Sequence, residues 1–251
     1  MKFRTDFVTN SSSSSFVAAL NLEFASGETA KCVYDRYFDE DEEKSLTFGD
    51  QSVYIGEGTY CYWLMEEELA LGVGNLNLGQ LLTAENSEGL IRNLEGLFLI
   101  GMEKCDEEDD WTPEPAEAEE LSRLTARKDA VVSAYHASLV KNIGQVADVR
   151  KASLSLEVDD ARGGDTPEDV LGKIFGSENV RQIREVILSG EKESLVLERL
   201  RSMSCLARVN DPSLNRIIKF LKKSGCYYGY VVEQTLEPDG SVSIRFLDST
   251  L

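Results

Sequence analysis

The chain has 251 residues, with 45 acidic and 26 basic side chains and a formal net charge of −19. Hydrophobic residues make up 42% and charged residues 28%, which describes a globular protein of one or two domains, long enough to bury a core without staples. Collagen, coiled coil, wholesale disorder and a membrane span are excluded, the last because no run approaches the ~20 apolar residues of a membrane helix.

The acidic charge is uneven. Residues 1–120 carry 7 basic and 27 acidic side chains, and residues 121–251 carry 19 and 18. A surface as acidic as that first half repels phosphate backbones, so nucleic acid is not an expected partner. It suits a basic partner, divalent cations, or the basic helical face later in this chain, although plain solubility is the first explanation. The five cysteines, Cys32, Cys61, Cys105, Cys205 and Cys226, are odd in number and include no C-x-x-C pair. They fit neither a disulfide framework nor a thiolate zinc site, and match scattered reduced thiols in a cytoplasm. Lys2 and Arg4 imitate the basic start of a signal peptide, but Asp6, five serines and the short apolar run from Phe16 to Leu20 do not continue one. A cytoplasmic location is expected.

In chain order, Phe16, Ala18, Leu20, Leu22 and Phe24 alternate with smaller or polar residues, which predicts a strand with one strongly apolar face. Ser26-Gly27 makes a turn and 30–37 is the returning strand. The acidic run 39–43 reads as a solvated loop, and 45–58 as further short strand. Residues 60–71, YCYWLMEEELAL, are compatible with a helix, and 76–100 with two leucine-rich helical pieces separated at Asn86-Ser87. The acidic, proline-containing stretch 105–117 marks a linker or long loop.

The second half is more regular. Leu121, Leu124, Val131, Tyr135, Leu139 and Ile143 recur at helical spacing, which predicts a long helix over about 115–142. Residues 151–158, KASLSLEV, alternate as a strand. Thr166-Pro167-Glu168-Asp169 is a helix start, with Thr at the N-cap, Pro in the first turn and acids at the positive end of the dipole. Helices follow over about 167–175, 178–188 and 191–208, and a last one begins at Asp211-Pro212. The C-terminus reads as a hairpin, with strands on either side of Glu237-Pro238-Asp239-Gly240. The expected fold class is α+β: a mixed strand and helix region first, then a helical second half closed by a C-terminal β-hairpin. The divisions are a flexible serine-rich lead over 1–15, an acidic α+β region over 16–104, the linker over 105–117, and a helix-rich region over 118–251. LNLEF at 20–24 resembles LSLEV at 154–158, an echo too short to establish a duplication.

Recognisable catalytic motifs are absent. The single histidine, His136, lies beside the buried stripe of the long helix, where a partly buried structural role is expected. As a catalytic residue it is a weak candidate, for acid–base work with an acid such as Glu66 or Glu67. There is no nucleophile elbow, no P-loop and no dinucleotide fingerprint. The acidic runs lack the glycine of a calcium loop. The sequence therefore implies no metal and no cofactor. Its one basic patch, Arg216, Lys219, Lys222 and Lys223, with Arg199, Arg201 and Arg208 upstream, suits an anion or the acidic half of the chain.

The opening residues are MKFRTDFVTNSSSSSF. Five consecutive serines are too polar for a core, and exposed hydroxyls accept phosphate, sugar or acyl groups. The string TDFVTNSSSSSF resembles a short N-terminal motif carried by many otherwise dissimilar bacterial proteins, often from anaerobic Firmicutes. The match covers residues 2–17 only. It implies a bacterial origin and no particular activity. A fixed segment on varied bodies implies that something reads it: Asp6, Phe7, Thr9 and Asn10 would be recognised, and Ser11, Ser12, Ser13, Ser14 and Ser15 would be modification candidates. The leading expectation is a binding protein with an as yet unspecified protein partner. An enzyme without a familiar motif and a self-assembling structural protein, hence a homo-oligomer, are the alternatives.

Overall fold

A computed structural model describes residues 15–27, 29–37, 43–48, 51–57, 67–83, 86–104, 115–143, 149–159 and 164–248. The fold is α+β, as the sequence predicts. Among the described residues, seven strands form one antiparallel sheet: β1 (Ser15–Phe24), β2 (Thr29–Tyr37), β3 (Glu43–Phe48), β4 (Gln51–Glu57), β7 (Val149–Asp159), β8 (Gly229–Leu236) and β9 (Val242–Asp248), in the order β4-β3-β2-β1-β7-β8-β9. A separate two-stranded sheet pairs β5 (Glu67–Val73) with β6 (Phe98–Lys104).

The two echoing strands meet at the centre of the large sheet. β1 and β7 run antiparallel with Ala18 opposite Leu156, Leu20 opposite Leu154 and Leu22 opposite Ala152. The row continues across β8 and β9, through Val232 and Phe246 and through Gln234 and Ile244. Because facing residues share one side of a sheet, these positions make a single apolar face, and nearly all of it is buried. The opposite side carries Asn21, Glu23, Lys151, Ser153, Glu157 and Glu233, exposed or half-buried. One dry and one wet face is the arrangement that lets an antiparallel sheet take helices on one side only. Beyond this pairing the two echoing segments diverge: β1 turns straight into β2 at Gly27 (φ +86°), whereas four helices separate β7 from β8.

Those helices are α4 (Pro167–Phe175), α5 (Ser177–Ile187), α6 (Glu193–Arg201) and α7 (Asp211–Leu221). Thr166 caps α4 as expected: its side chain accepts from the Asp169 amide while the Asp169 carboxylate accepts from the Thr166 amide, a reciprocal capping box. α7 is capped one residue earlier than the Asp-Pro pair suggests, by Asn210, whose side chain accepts from the Ser213 amide at 3.0 Å. The C-terminal hairpin turns as predicted, with the Gly240 amide on the Glu237 carbonyl at 2.9 Å and Gly240 at φ +81°.

Several boundaries differ from the sequence reading. Residues 67–71 are strand β5 rather than helix; residues 60–66, the rest of that expectation, lie outside the described residues. The leucine-rich stretch is helical as α1 (Leu78–Leu81) and α2 (Ser87–Leu97), but 98–100 already belong to β6. The helix expected over 191–208 ends at Arg201. A 3₁₀ turn at Ser204–Leu206 follows, and Arg208 takes a left-handed conformation (φ +63°). α3 (Pro115–Ile143) begins inside the stretch read as a linker, whose residues 105–114 lie outside the described ones. Sequences on both sides of that stretch contribute to one contiguous core: Leu20, Phe24, Leu78 and Leu94 pack in the same cluster as Leu139, Phe175, Leu200 and Ile244.

A buried polar junction joins the early segment around α1 to the late strands. Gln234 is 1% exposed on the apolar face of the sheet. Its amide donates to the Leu76 carbonyl at 2.5 Å and its oxygen accepts from the Leu78 amide at 3.0 Å. Asn77, 2% exposed, donates to the Cys205 carbonyl at 2.5 Å and caps α1 through the Gln80 amide at 3.2 Å. Both side-chain amides are thus paired at both ends, which is the condition for a polar group to sit in a core without penalty.

Candidate functional site

The segment singled out by sequence stands mostly before the described residues: Asp6, Phe7, Thr9, Asn10 and Ser11 to Ser14 lie outside them. Ser15 is the first residue of β1 and pairs with Tyr37 on one side and Asp159 on the other. The last serine of the run is therefore the first residue of a central strand paired on both flanks.

At the same end of the sheet, Asp165 bridges to Tyr227 by reciprocal backbone hydrogen bonds of 2.8 Å. Its carboxylate receives the Tyr230 hydroxyl at 2.5 Å and the ammonium of Lys173 from α4. Lys173 also donates to the Tyr230 oxygen at 3.0 Å and lies 5.6 Å from the centre of its ring. Tyr230 is buried and Asp165 largely so. The three groups satisfy one another, so the cluster ties the start of α4 to β8. The sequence reading missed it: an acid before a helix cap, a lysine eight residues later and a tyrosine in a distant strand carry no spacing signal.

His136 is not partly buried. It stands exposed on α3, beside Tyr135, which is buried and donates its hydroxyl to the Leu94 carbonyl at 2.9 Å. The reason is helical geometry: Val131, Tyr135 and Leu139 form the inward stripe, and position 136 falls about 100° away from it. His136 Nδ1 contacts the Glu95 carboxylate on α2. Glu95 is its acidic neighbour among the described residues; Glu66 lies outside them, and Glu67 opens β5. The pair borders a shallow groove of about 360 Å³ between α2 and α3, flanked by Ser87, Arg92 and the exposed Val140.

The basic patch divides in two. Arg216 is engaged: it donates to the Ile244 carbonyl at 3.0 Å, while the Ser213 hydroxyl accepts from the Ile244 amide at 2.8 Å. Val242 is held likewise by the Arg208 carbonyl and the Asn210 amide. These contacts cover the first part of the outer edge of β9, at Val242 and Ile244, whose backbone groups would otherwise be open to another strand. Lys223 lies 5.7 Å from the Phe220 ring centre and 5.9 Å from that of Tyr227, covering an aromatic cluster in which Phe220 stacks on Phe246 at 4.3 Å. Lys219 and Lys222 are exposed, and no carboxylate among the described residues pairs with either or with Lys223. Arg201 and Arg199, by contrast, are taken up by Asp211 and Glu191, and the Arg201 guanidinium holds the Asp211 carboxyl below its ordinary range.

Beside the free lysines, α4, α5 and α7 enclose a groove of about 460 Å³. Cys205, the buried thiol near Asn77, has its ionisation pushed up by burial, which makes it inert; Cys226 is exposed. Among the described residues no helix is long and apolar enough to cross a membrane. Neither a protein-family model, nor a curated protein, nor a solved structure matches this chain.

Proposed function

We propose that the protein is a bacterial, cytoplasmic interaction protein whose N-terminal segment is read or modified by another factor. One observation supports the reading: Ser15, the last residue of the serine run, is paired on both sides within the central strand of the sheet. The segment is thereby delivered from a fixed point on a folded body, as a recognition element requires, with recognition and attachment separated along the chain. Asp6, Phe7, Thr9 and Asn10 serve as recognition contacts. Ser11 to Ser14 are the acceptors, and Ser15, whose backbone is committed to two ladders, is spared.

The test is a comparison in extract of the native host. Full-length chain with Asp6, Phe7, Thr9 and Asn10 changed together to alanine is incubated beside the unaltered protein. The unaltered serine run gains mass and the substituted chain does not. Equal mass gain in both would remove the recognition role, and gain that persists after Ser11 to Ser14 are replaced by alanine would remove the acceptor role.

A further inference from the structure

The groove between α4, α5 and α7 brings two lysines, neither with a carboxylate partner among the described residues, beside an exposed leucine. Its rim holds Lys222 and Lys223, at the end of α7 where the helix dipole favours cations. The only acid on it, Glu168, is occupied by Arg184 at 2.9 Å, so the two lysines are uncompensated. Leu188, also lining it, is 62% exposed, the most exposed large hydrophobic side chain among the described residues. A basic rim around an apolar contact suits an acidic segment that also brings an apolar side chain.

The complement is encoded in the same chain. Residues 1–120 carry 27 acidic against 7 basic side chains, whereas the groove belongs to the balanced second half. We infer that this groove binds a second copy of this chain, receiving the acidic first half of its neighbour. Such a contact is head-to-tail, so the copies at each end of a pair keep one unoccupied groove and one unoccupied acidic half, and assembly continues beyond a dimer unless a ring closes. Copies with a net charge of −19 repel at long range. Screening over about 10 Å at 0.1 M salt suppresses that repulsion while leaving a direct lysine–carboxylate contact; at 1 M, where the screening length is about 3 Å, the contact is lost too.

Sedimentation velocity of the full chain decides the matter. At 100 mM NaCl the mass rises with protein concentration above the 27.9 kDa of one chain, and at 1 M NaCl it returns to that value. K222E/K223E weakens the association at least about tenfold, because like charges then meet. K222Q/K223Q gives a smaller loss in the same direction and guards against misfolding, since both side chains are exposed. In a mixture, labelled K222E/K223E still binds unaltered protein through its intact acidic half. A single chain at every concentration up to 200 µM would overturn the inference, as would association that both variants leave unchanged. So would a chain that stays single yet binds a synthetic acidic peptide in this groove, which would assign the surface to a different protein.

Discussion

Replacing Gln234 by leucine probes the junction between the early and late parts of the chain. The native amide satisfies the Leu76 carbonyl and the Leu78 amide, and both residues are 1% exposed or less. Leucine has similar volume and no polar atoms, so it fills the space and abandons both groups. Each buried orphan costs about 1–3 kcal/mol, or about 2–6 kcal/mol for the pair. Burying the leucine side chain returns about 1.5–3 kcal/mol. The expected net loss is about 2 kcal/mol, a large share of a typical folding stability of about 5–15 kcal/mol. Urea unfolding measures it as a lower midpoint at unchanged slope, and thermal unfolding as a fall of about 4–8 °C for a chain of this size. Glu233→Gln, on the opposite side of the same strand, is the control and stays within about 0.5 kcal/mol of the unaltered protein. A Gln234→Leu protein as stable as its parent would refute the claim that this amide holds the α1 segment to β8.

Two glycines make a matched pair. A Cβ at Gly79 would sit 2.2 Å from the Ala207 carbonyl oxygen, whereas one at Gly96 meets nothing within 4 Å. Gly79→Ala therefore destabilises by about 1–3 kcal/mol, and Gly96→Ala, inside α2, stabilises by up to about 1 kcal/mol; equal effects in chemical unfolding would contradict the packing described. Tyr230→Phe leaves Asp165 with Lys173 alone and lowers the unfolding free energy by about 1 kcal/mol, while no change would show that the hydroxyl is dispensable. Thr166 hydrogen bonds hold the Asp169 carboxyl below its ordinary value, and Arg201 does the same for Asp211. A depressed folded value means stability that is complete above about pH 4 and lost as pH falls further. Asp169→Asn and Asp211→Asn should each be less stable at neutral pH and flatten the acid limb; acid limbs parallel to the parent's would oppose this.

Local signals were readable where they were chemically explicit. Thr166-Pro167-Glu168-Asp169 announces its helix because cap, proline and acid each satisfy a requirement of a helix N-terminus. Pro238 and Gly240 fix the last hairpin, and alternation in 16–24 and 151–158 reveals the two central strands. Their mutual pairing is not readable, since it joins residues more than 100 positions apart and nothing local sets the register. β5 and β6 are missed because ELALGV and FLIGMEK, each with a glycine, show neither clean period. The inward stripe Val131–Tyr135–Leu139 is legible in the sequence, but how far its burial spreads to a neighbour such as His136, about 100° round the helix, is set by what packs against α3. The Asp165–Lys173–Tyr230 cluster and the Gln234 junction arise only when distant segments fold together, as polar contacts between tertiary neighbours generally do. Arg216 shows the converse: a residue that reads as part of a charged patch is spent on one carbonyl of a strand edge.

The central claim concerns the segment ahead of β1, and the intact mass of the protein purified from its native host tests it most directly, with fragmentation of the first twenty residues. The account predicts added mass confined to Ser11 to Ser14, or cleavage ahead of Ser15. An unmodified serine run in the mature protein would contradict it.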